Sequence, residues 1–170
     1  MADKTYLDDM IDYKDRVVKA LSKSQEVVGL LLNDPDVDMN SDVAYEIVGH
    51  HIYDYDYVDR TVERDDAYVM VDTELISPSS GSMNKWYLYV QIVCSKPYNK
   101  LDGKLFRGTK GNRRDNLARQ IDVLINGSRE FGVGCIELYS AAPAQVPDSF
   151  TSILLTYEIL DFRRERLADK

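Results

Sequence analysis

Apolar residues recur at helical spacing from the start of the chain. Leu7, Met10, Ile11, Val17, Val18 and Leu21 fall on one face, with Asp8, Asp9, Asp12, Asp15 and Lys19 between them, the pattern of an amphipathic helix. Asp8 and Asp9 suit the positive end of its dipole. Ser22-Lys23-Ser24-Gln25 fits a capping box, with Ser22 as N-cap and Gln25 reaching back. A short second helix is expected through Val27, Val28, Leu30, Leu31 and Leu32. Asn33-Asp34-Pro35 ends it, because proline cannot continue the hydrogen-bond ladder. The period then shortens. Residues 67–76 and 86–94 are β-branched and aromatic and read as two strands of a hairpin, joined by a turn rich in serine and glycine. Both faces of the second strand look apolar, so both are expected to be covered. Helical spacing returns with Leu117, Ala118, Ile121, Leu124 and Ile125, a stripe capped by Asn112 at its start and closed by Asn126-Gly127. Two more strands are expected near residues 134–141 and 149–162.

The order helix, helix, irregular segment, hairpin, helix, two strands predicts an α+β fold, a mixed and mainly antiparallel sheet packed against helices. At 170 residues, one domain spanning 1–170 is expected. Residues 34–66 are irregular and rich in Asp and Tyr. The tyrosines carry too much apolar area for disorder, so this segment reads as ordered and exposed. The charged tail 163–170 is expected to fray.

Composition narrows the function classes. The net charge of -8 argues against a general nucleic-acid binder. No apolar run is long enough for a membrane helix. The first residues lack the basic and apolar regions of a secretory leader, which points to an intracellular compartment. Cys94 and Cys135 sit in apolar runs and read as buried, inert thiols.

Candidate chemistry thins out on inspection. His50 and His51 stand beside Asp54, Asp56 and Asp59, yet there is no cysteine pair or HExxH spacing to complete a zinc site. They are the chain's two histidines, which removes most nucleophile–histidine arrangements. Asp72 and Glu74 share a strand face, but a two-metal nuclease needs a fuller ligand set. Gly108-Thr109-Lys110-Gly111 lacks the frame of a phosphate-binding loop. No catalytic, metal or cofactor site is expected, and the chain does not read as an enzyme.

The distribution of charge says more. Residues 1–80 hold 19 acidic and 7 basic side chains, whereas 81–170 hold 10 and 14. Within the second half, 96–119 carries Lys96, Lys100, Lys104, Arg107, Lys110, Arg113, Arg114 and Arg119 against Asp102 and Asp115. Such asymmetry favours a contact between unlike surfaces of two identical copies. Arg107, Arg113, Arg114 and Arg119 are the expected basic side of it. Asp54, Tyr55, Asp56, Tyr57 and Asp59 are the acidic side, the tyrosines acting as apolar anchors. The same basic segment offers a second reading, contact with a nucleic-acid backbone.

Four stretches resemble the small neck and tail-completion proteins of tailed bacteriophages and prophages: Tyr6-Leu7-Asp8-Asp9-Met10-Ile11-Asp12; Ile52-Tyr53-Asp54-Tyr55-Asp56-Tyr57-Val58, leading through Thr61-Val62-Glu63; Arg114 through Gly127, preceded by Gly111; and Phe131-Gly132-Val133-Gly134-Cys135-Ile136-Glu137-Leu138. Within that group the likeness is to tail terminators and tail-to-head joining proteins. The resemblance implies a tail-terminator-like fold assembling as a homo-oligomeric ring, typically hexameric, on the end of the tail tube. It implies tail-tube and head-connector or stopper proteins as partners. DNA would pass through the lumen without sequence-specific binding, and no membrane is involved. The chain would then reside in the virion neck or tail, and in the host cytoplasm during assembly. It implies no catalytic residue. A phage nucleic-acid-binding or processing protein, or a tail-tube protein, is the alternative. The length of the Asp/Tyr-rich segment 34–66 is a departure: as a whole it does not map onto that fold.

Overall fold

The computed structural model describes residues 6–55, 66–78, 84–129 and 135–161. Helix α1 spans Tyr6–Lys23 and α2 spans Gln25–Leu32. The break between them is capped by Ser24, whose side chain accepts from Val27 N at 3.3 Å. Ser22 is not the cap: it remains in α1 and its hydroxyl donates to Lys19 O, while Gln25 reaches Pro35 O. Helix α2 ends at Asn33, which takes the left-handed conformation at φ 58° and returns its N–H to Gly29 O. Asparagine tolerates that region better than most residues, so the stop is one residue earlier than the proline requires.

The segment 34–66 is not simply exposed. It contains one helical turn, α3 at Asp42–Tyr45, capped by Ser41, and a two-residue strand, β1 at Ile52–Tyr53. Val37, Ala44, Ile47 and Ile52 are buried in the main core. Elements this short leave no periodicity to read.

The hairpin is present as β2 (Ala67–Pro78) and β3 (Asn84–Ser95). Helix α4 (Arg113–Ile125) follows, then β4 (Ile136–Ala142) and β5 (Phe150–Asp161). They form a five-stranded sheet in the order β1-β2-β3-β5-β4, antiparallel except for the β1–β2 pair. The fold is therefore α+β with a mixed, mainly antiparallel sheet, as the residue pattern predicts.

Alternation along the strands gives the sheet two unlike faces. Val71, Leu88, Val90, Leu155, Tyr157 and Ile159 point to one side and are buried beneath α1 and α4, with α2 packed on both helices. Trp86 meets Tyr13 of α1 edge-on, ring centres 5.7 Å apart, and Ile121 at the middle of the α4 stripe is fully buried. On the other side, Tyr53, Met70 and Val93 form a small second cluster with Tyr68, Val146 and Phe150. Beyond that cluster the face is open. Tyr87, Tyr89 and Gln91 of β3 are half-exposed and Glu74 and Glu137 exposed. The expectation that both faces of β3 are covered thus fails over Lys85–Gln91, because tyrosine satisfies an apolar pattern while still standing in water.

Candidate functional site

The basic segment between β3 and α4 has no regular structure from Lys96 to Gly111, and one buried residue ties it down. Arg113 opens α4 and is 1% exposed. Its Nε donates to Tyr98 O at 2.7 Å and its Nη2 to Asn33 Oδ1 at 2.5 Å, while Nη1 donates to Leu30 O. The guanidinium carbon lies 4.0 Å from the Tyr98 ring centre. The fork therefore joins the loop to the C-terminal end of α2, where carbonyls carry the negative end of the dipole. Desolvation pulls the Arg113 pKa below the ordinary arginine value, and the group stays charged at neutral pH because arginine starts above pH 12. Arg113 thus leaves the set of surface-contact residues expected from the charge pattern. A charged residue in a first helical turn reads as solvated, and nothing in the sequence marks it as core.

Arg114 is half-buried and internally committed. It meets Asp115 Oδ1 at 2.7 Å and donates to Thr151 Oγ1 at 2.8 Å. Arg107 and Arg119 are exposed, as are Lys96, Lys100, Lys104 and Lys110. The fixed loop holds these cations outward, with Leu105, 47% exposed, between Lys104 and Phe106, which is turned inward. On the acidic side, Asp54 and Tyr55 are exposed, and Tyr55 meets Tyr53 edge-on at 5.6 Å. Lys14 Nζ reaches both Asp54 O, at 3.0 Å, and Asp72 Oδ1, at 3.5 Å. Asp54 therefore adjoins the outer edge of the open sheet face. Asp56, Tyr57 and Asp59 lie outside the described residues.

A groove of about 380 Å³ runs between α2, α4 and the loop. Leu30 and Phe106 line it, with the amides of Gln25, Asn116 and Gln120. Gly29 is required where the chain folds back on α2: a Cβ there would stand 2.8 Å from Asp34 O. The groove sets hydrogen-bonding amides, with Glu26 and Thr109, beside an apolar wall.

His51 is the half-buried histidine. Its Nδ1 lies 2.9 Å from Ala67 O and 3.1 Å from Asp66 Oδ1. Both neighbours are acceptors, so Nδ1 carries a proton. Burial opposes its charge, but the Asp66 and Ala67 bonds and the Asp66 charge outweigh burial and raise its pKa above 6.5. His50 is exposed. Among the described residues, no group of three or more His, Cys, Asp or Glu is arranged to hold a metal ion. No helix among them is long and apolar enough to cross a membrane. Cys94 is buried, and desolvation pushes its thiol up to about 12. Cys135 is only half-buried, contrary to its apolar flanks.

The sequence pattern of the YomW family matches residues 17–159, from the second half of α1 to two residues before the end of β5. The chain belongs to the YomW family. That family is named after a Bacillus phage or prophage gene, which is consistent with a phage-derived protein. The YomW match takes in Arg113, the cationic loop, the groove and most of the sheet, and it begins after Leu7 and Ile11, both exposed on α1. No curated protein matches the chain.

Proposed function

We propose that this YomW-family chain is a structural subunit of the phage particle, a tail terminator or neck ring component that acts by protein contact and not by catalysis. The observation that carries the reading is the loop Lys96–Gly111. A chain of net charge -8 holds five exposed cations outward on a loop anchored by Arg113. Charge concentrated on a fixed loop steers and registers a partner. Family membership supports a phage context, and the four stretches that resemble tail-completion proteins support the neck position.

In this reading identical copies close into a ring, hexameric by that resemblance, which caps the tail tube and meets the head connector while DNA passes through the lumen. Arg107 and Arg119, with the loop lysines, are the basic side of the contact. Asp54 and Tyr55, leading into Asp56, Tyr57 and Asp59, belong to the acidic side. The chain would occupy the virion neck after assembly in the host cytoplasm.

The test is removal of the gene followed by microscopy and mass spectrometry of the particles. Loss of the chain is expected to yield tails of irregular length and heads left unjoined, with the chain present in wild-type particles. Normal infectious particles without it overturn the reading. The same exposed cations support one other function, binding of a nucleic-acid backbone. A retarded DNA probe whose affinity falls steeply with salt, together with particles lacking the chain, would favour that alternative. A position along the tail tube would instead appear as many copies per particle.

A further inference from the structure

The open face of the sheet carries an arrangement that the isolated chain does not resolve. Glu137 of β4 and Glu158 of β5 stand directly opposite each other. Like charges in that position repel. Lys85 meets Glu158 Oε2 at 2.7 Å, which leaves exposed Glu137 without a salt-bridging cation among the described residues. Beside them Tyr139, 63% exposed, stacks on Tyr87 with ring centres 5.3 Å apart. Tyr87 meets Tyr89 edge-on, and the Tyr89 hydroxyl donates to Glu74 Oε2 at 2.5 Å. The result is a ridge of three tyrosines bordered by carboxylates. Lys85 lies over the Tyr87 and Tyr139 rings, at 5.3 and 5.9 Å, yet Glu74, Glu137 and Glu158 outnumber it, and rigid tyrosines with little entropy to lose in an acidic setting form a surface suited to a cationic protein segment.

The chain carries such a segment on its opposite side. Loop Lys96–Gly111 packs against α2 and α4, through Tyr98 OH to Leu31 O and through Arg113, so it belongs to the helical side. Lys104, Leu105 and Arg107 are exposed there in sequence, two cations flanking an apolar tip.

We infer that the open, tyrosine-bearing acidic face of the sheet receives the Lys104–Arg107 loop of a second copy of this chain. The juxtaposition that carries this is the Glu137–Glu158 pair, answered by the single cation Lys85, on one side of the molecule and the exposed cationic tip on the other. Leu105 would rest on the tyrosine ridge while Lys104 and Arg107 answer Glu137 and Glu74. Two different surfaces meet, so the contact is heterologous and propagates head to tail, closing into a ring where the rotation allows. This rests on the reading of the chain as a self-assembling subunit and extends its acidic side from Asp54, which adjoins Asp72, across the sheet.

The experiment is zero-length carbodiimide cross-linking of the purified full chain, prepared as an equal mixture of ordinary and ¹⁵N-labelled copies so that links between copies are told from links within one. Links from Lys104, Lys100 or Lys110 to Glu74, Glu137 or Glu158 of another copy are expected. The double variant Glu74→Lys, Glu137→Lys and the double variant Lys104→Glu, Arg107→Glu should each lower the yield of linked dimers about tenfold or more, one decade corresponding to a 1.4 kcal/mol loss. An equal mixture of the two variants should restore it. Restoration also shows that both variants are folded. Absence of links between copies, links confined to other segments, or failure of the mixture to restore them overturns the inference. Particles that contain the chain but show none of these links defeat this contact and leave the structural reading standing. Particles that lack the chain defeat that reading instead.

Discussion

Arg113 Nε donates to the backbone carbonyl of Tyr98 at 2.7 Å while the carbon of the same guanidinium sits over the Tyr98 ring, 4.0 Å from its centre. One buried cation thereby fixes three parts of the chain: the loop, the end of α2 and the start of α4. Its hydrogen-bond partners are Leu30 O, Asn33 Oδ1 and Tyr98 O, all uncharged oxygens. Arg113→Met would fill most of the volume and leave three acceptors without donors. Bonds to a charged donor are each worth about 1.5–3 kcal/mol, so a loss of roughly 3 kcal/mol or more is expected. In a chain of this size that lowers the melting temperature by roughly 6–12 °C. Arg113→Lys should fall between, since an ammonium cannot span the fork. A Met variant that melts with the parent would show that the clamp does not hold the loop.

Gly29 gives a sharper sign test. Glycine inside a helix costs about 1 kcal/mol relative to alanine, so propensity alone favours Gly29→Ala. The Cβ, however, would meet backbone, at 2.8 Å from Asp34 O and 3.2 Å from Pro35 Cα. Overpacking of this kind costs about 1–3 kcal/mol. The expected result is a net loss, read as a lower midpoint in urea. An alanine variant more stable than the parent would mean that the 33–35 turn can move away from α2.

The two thiols should separate under a thiol reagent. Cys94 is buried with its thiol pushed up to about 12, chiefly by desolvation, so almost none of it is thiolate at neutral pH. Cys135 is half-buried. Native protein is expected to be modified at Cys135 with Cys94 spared until denaturant is added, as peptide mapping would show. Equal modification of both in the native state would contradict the burial of Cys94.

How much of this was legible in the sequence depends on element length and on which residues mimic others. The hairpin and α4 were readable because a switch from alternating to helical spacing persists over many residues. Helix α3 and strand β1, four and two residues long, are below the length at which any period shows. Ser22 and Ser24 both satisfy a cap preference, and only the folded backbone selects Ser24. Of the expected contact residues, Arg107, Arg119, Asp54 and Tyr55 are placed at the surface. Arg113 is not, because charge is a poor guide where helix-end carbonyls supply the partners. The tyrosine ridge is visible as Tyr87 and Tyr89 alternating with Trp86 and Leu88, but the pattern reads as covered on both faces because tyrosine counts as apolar.

His51 provides a pH test whose direction follows from its neighbours. Its folded pKa is raised above 6.5, so the stability it contributes is complete below the unfolded value and is lost as pH rises through the folded one. His51→Gln should therefore cost more at pH 5.5 than at pH 8.5, the difference shrinking across that range. Replacing Asp66 with Asn should lower the His51 pKa in a histidine NMR titration, since the Asp66 bond is the strongest influence raising it and the Asp66 charge adds to that. A variant cost that grows with pH would reverse the sign and place the proton elsewhere.

The Glu137–Glu158 pair separates stability from assembly. In the free chain the two carboxylates oppose each other across neighbouring strands, so Glu137→Lys replaces repulsion with attraction. Opposite-charge cross-strand pairs contribute roughly 0.2–1 kcal/mol, and the variant should melt slightly above the parent. The same change places a cation where the cationic loop of another copy would dock, so cross-linked dimers should fall while thermal stability rises. A residue kept only for folding would move both readouts together. If Glu137→Lys is more stable and associates as the parent does, the acidic face is not the docking surface. If it is less stable, Lys85 already compensates both carboxylates and the strain assigned to the pair is absent.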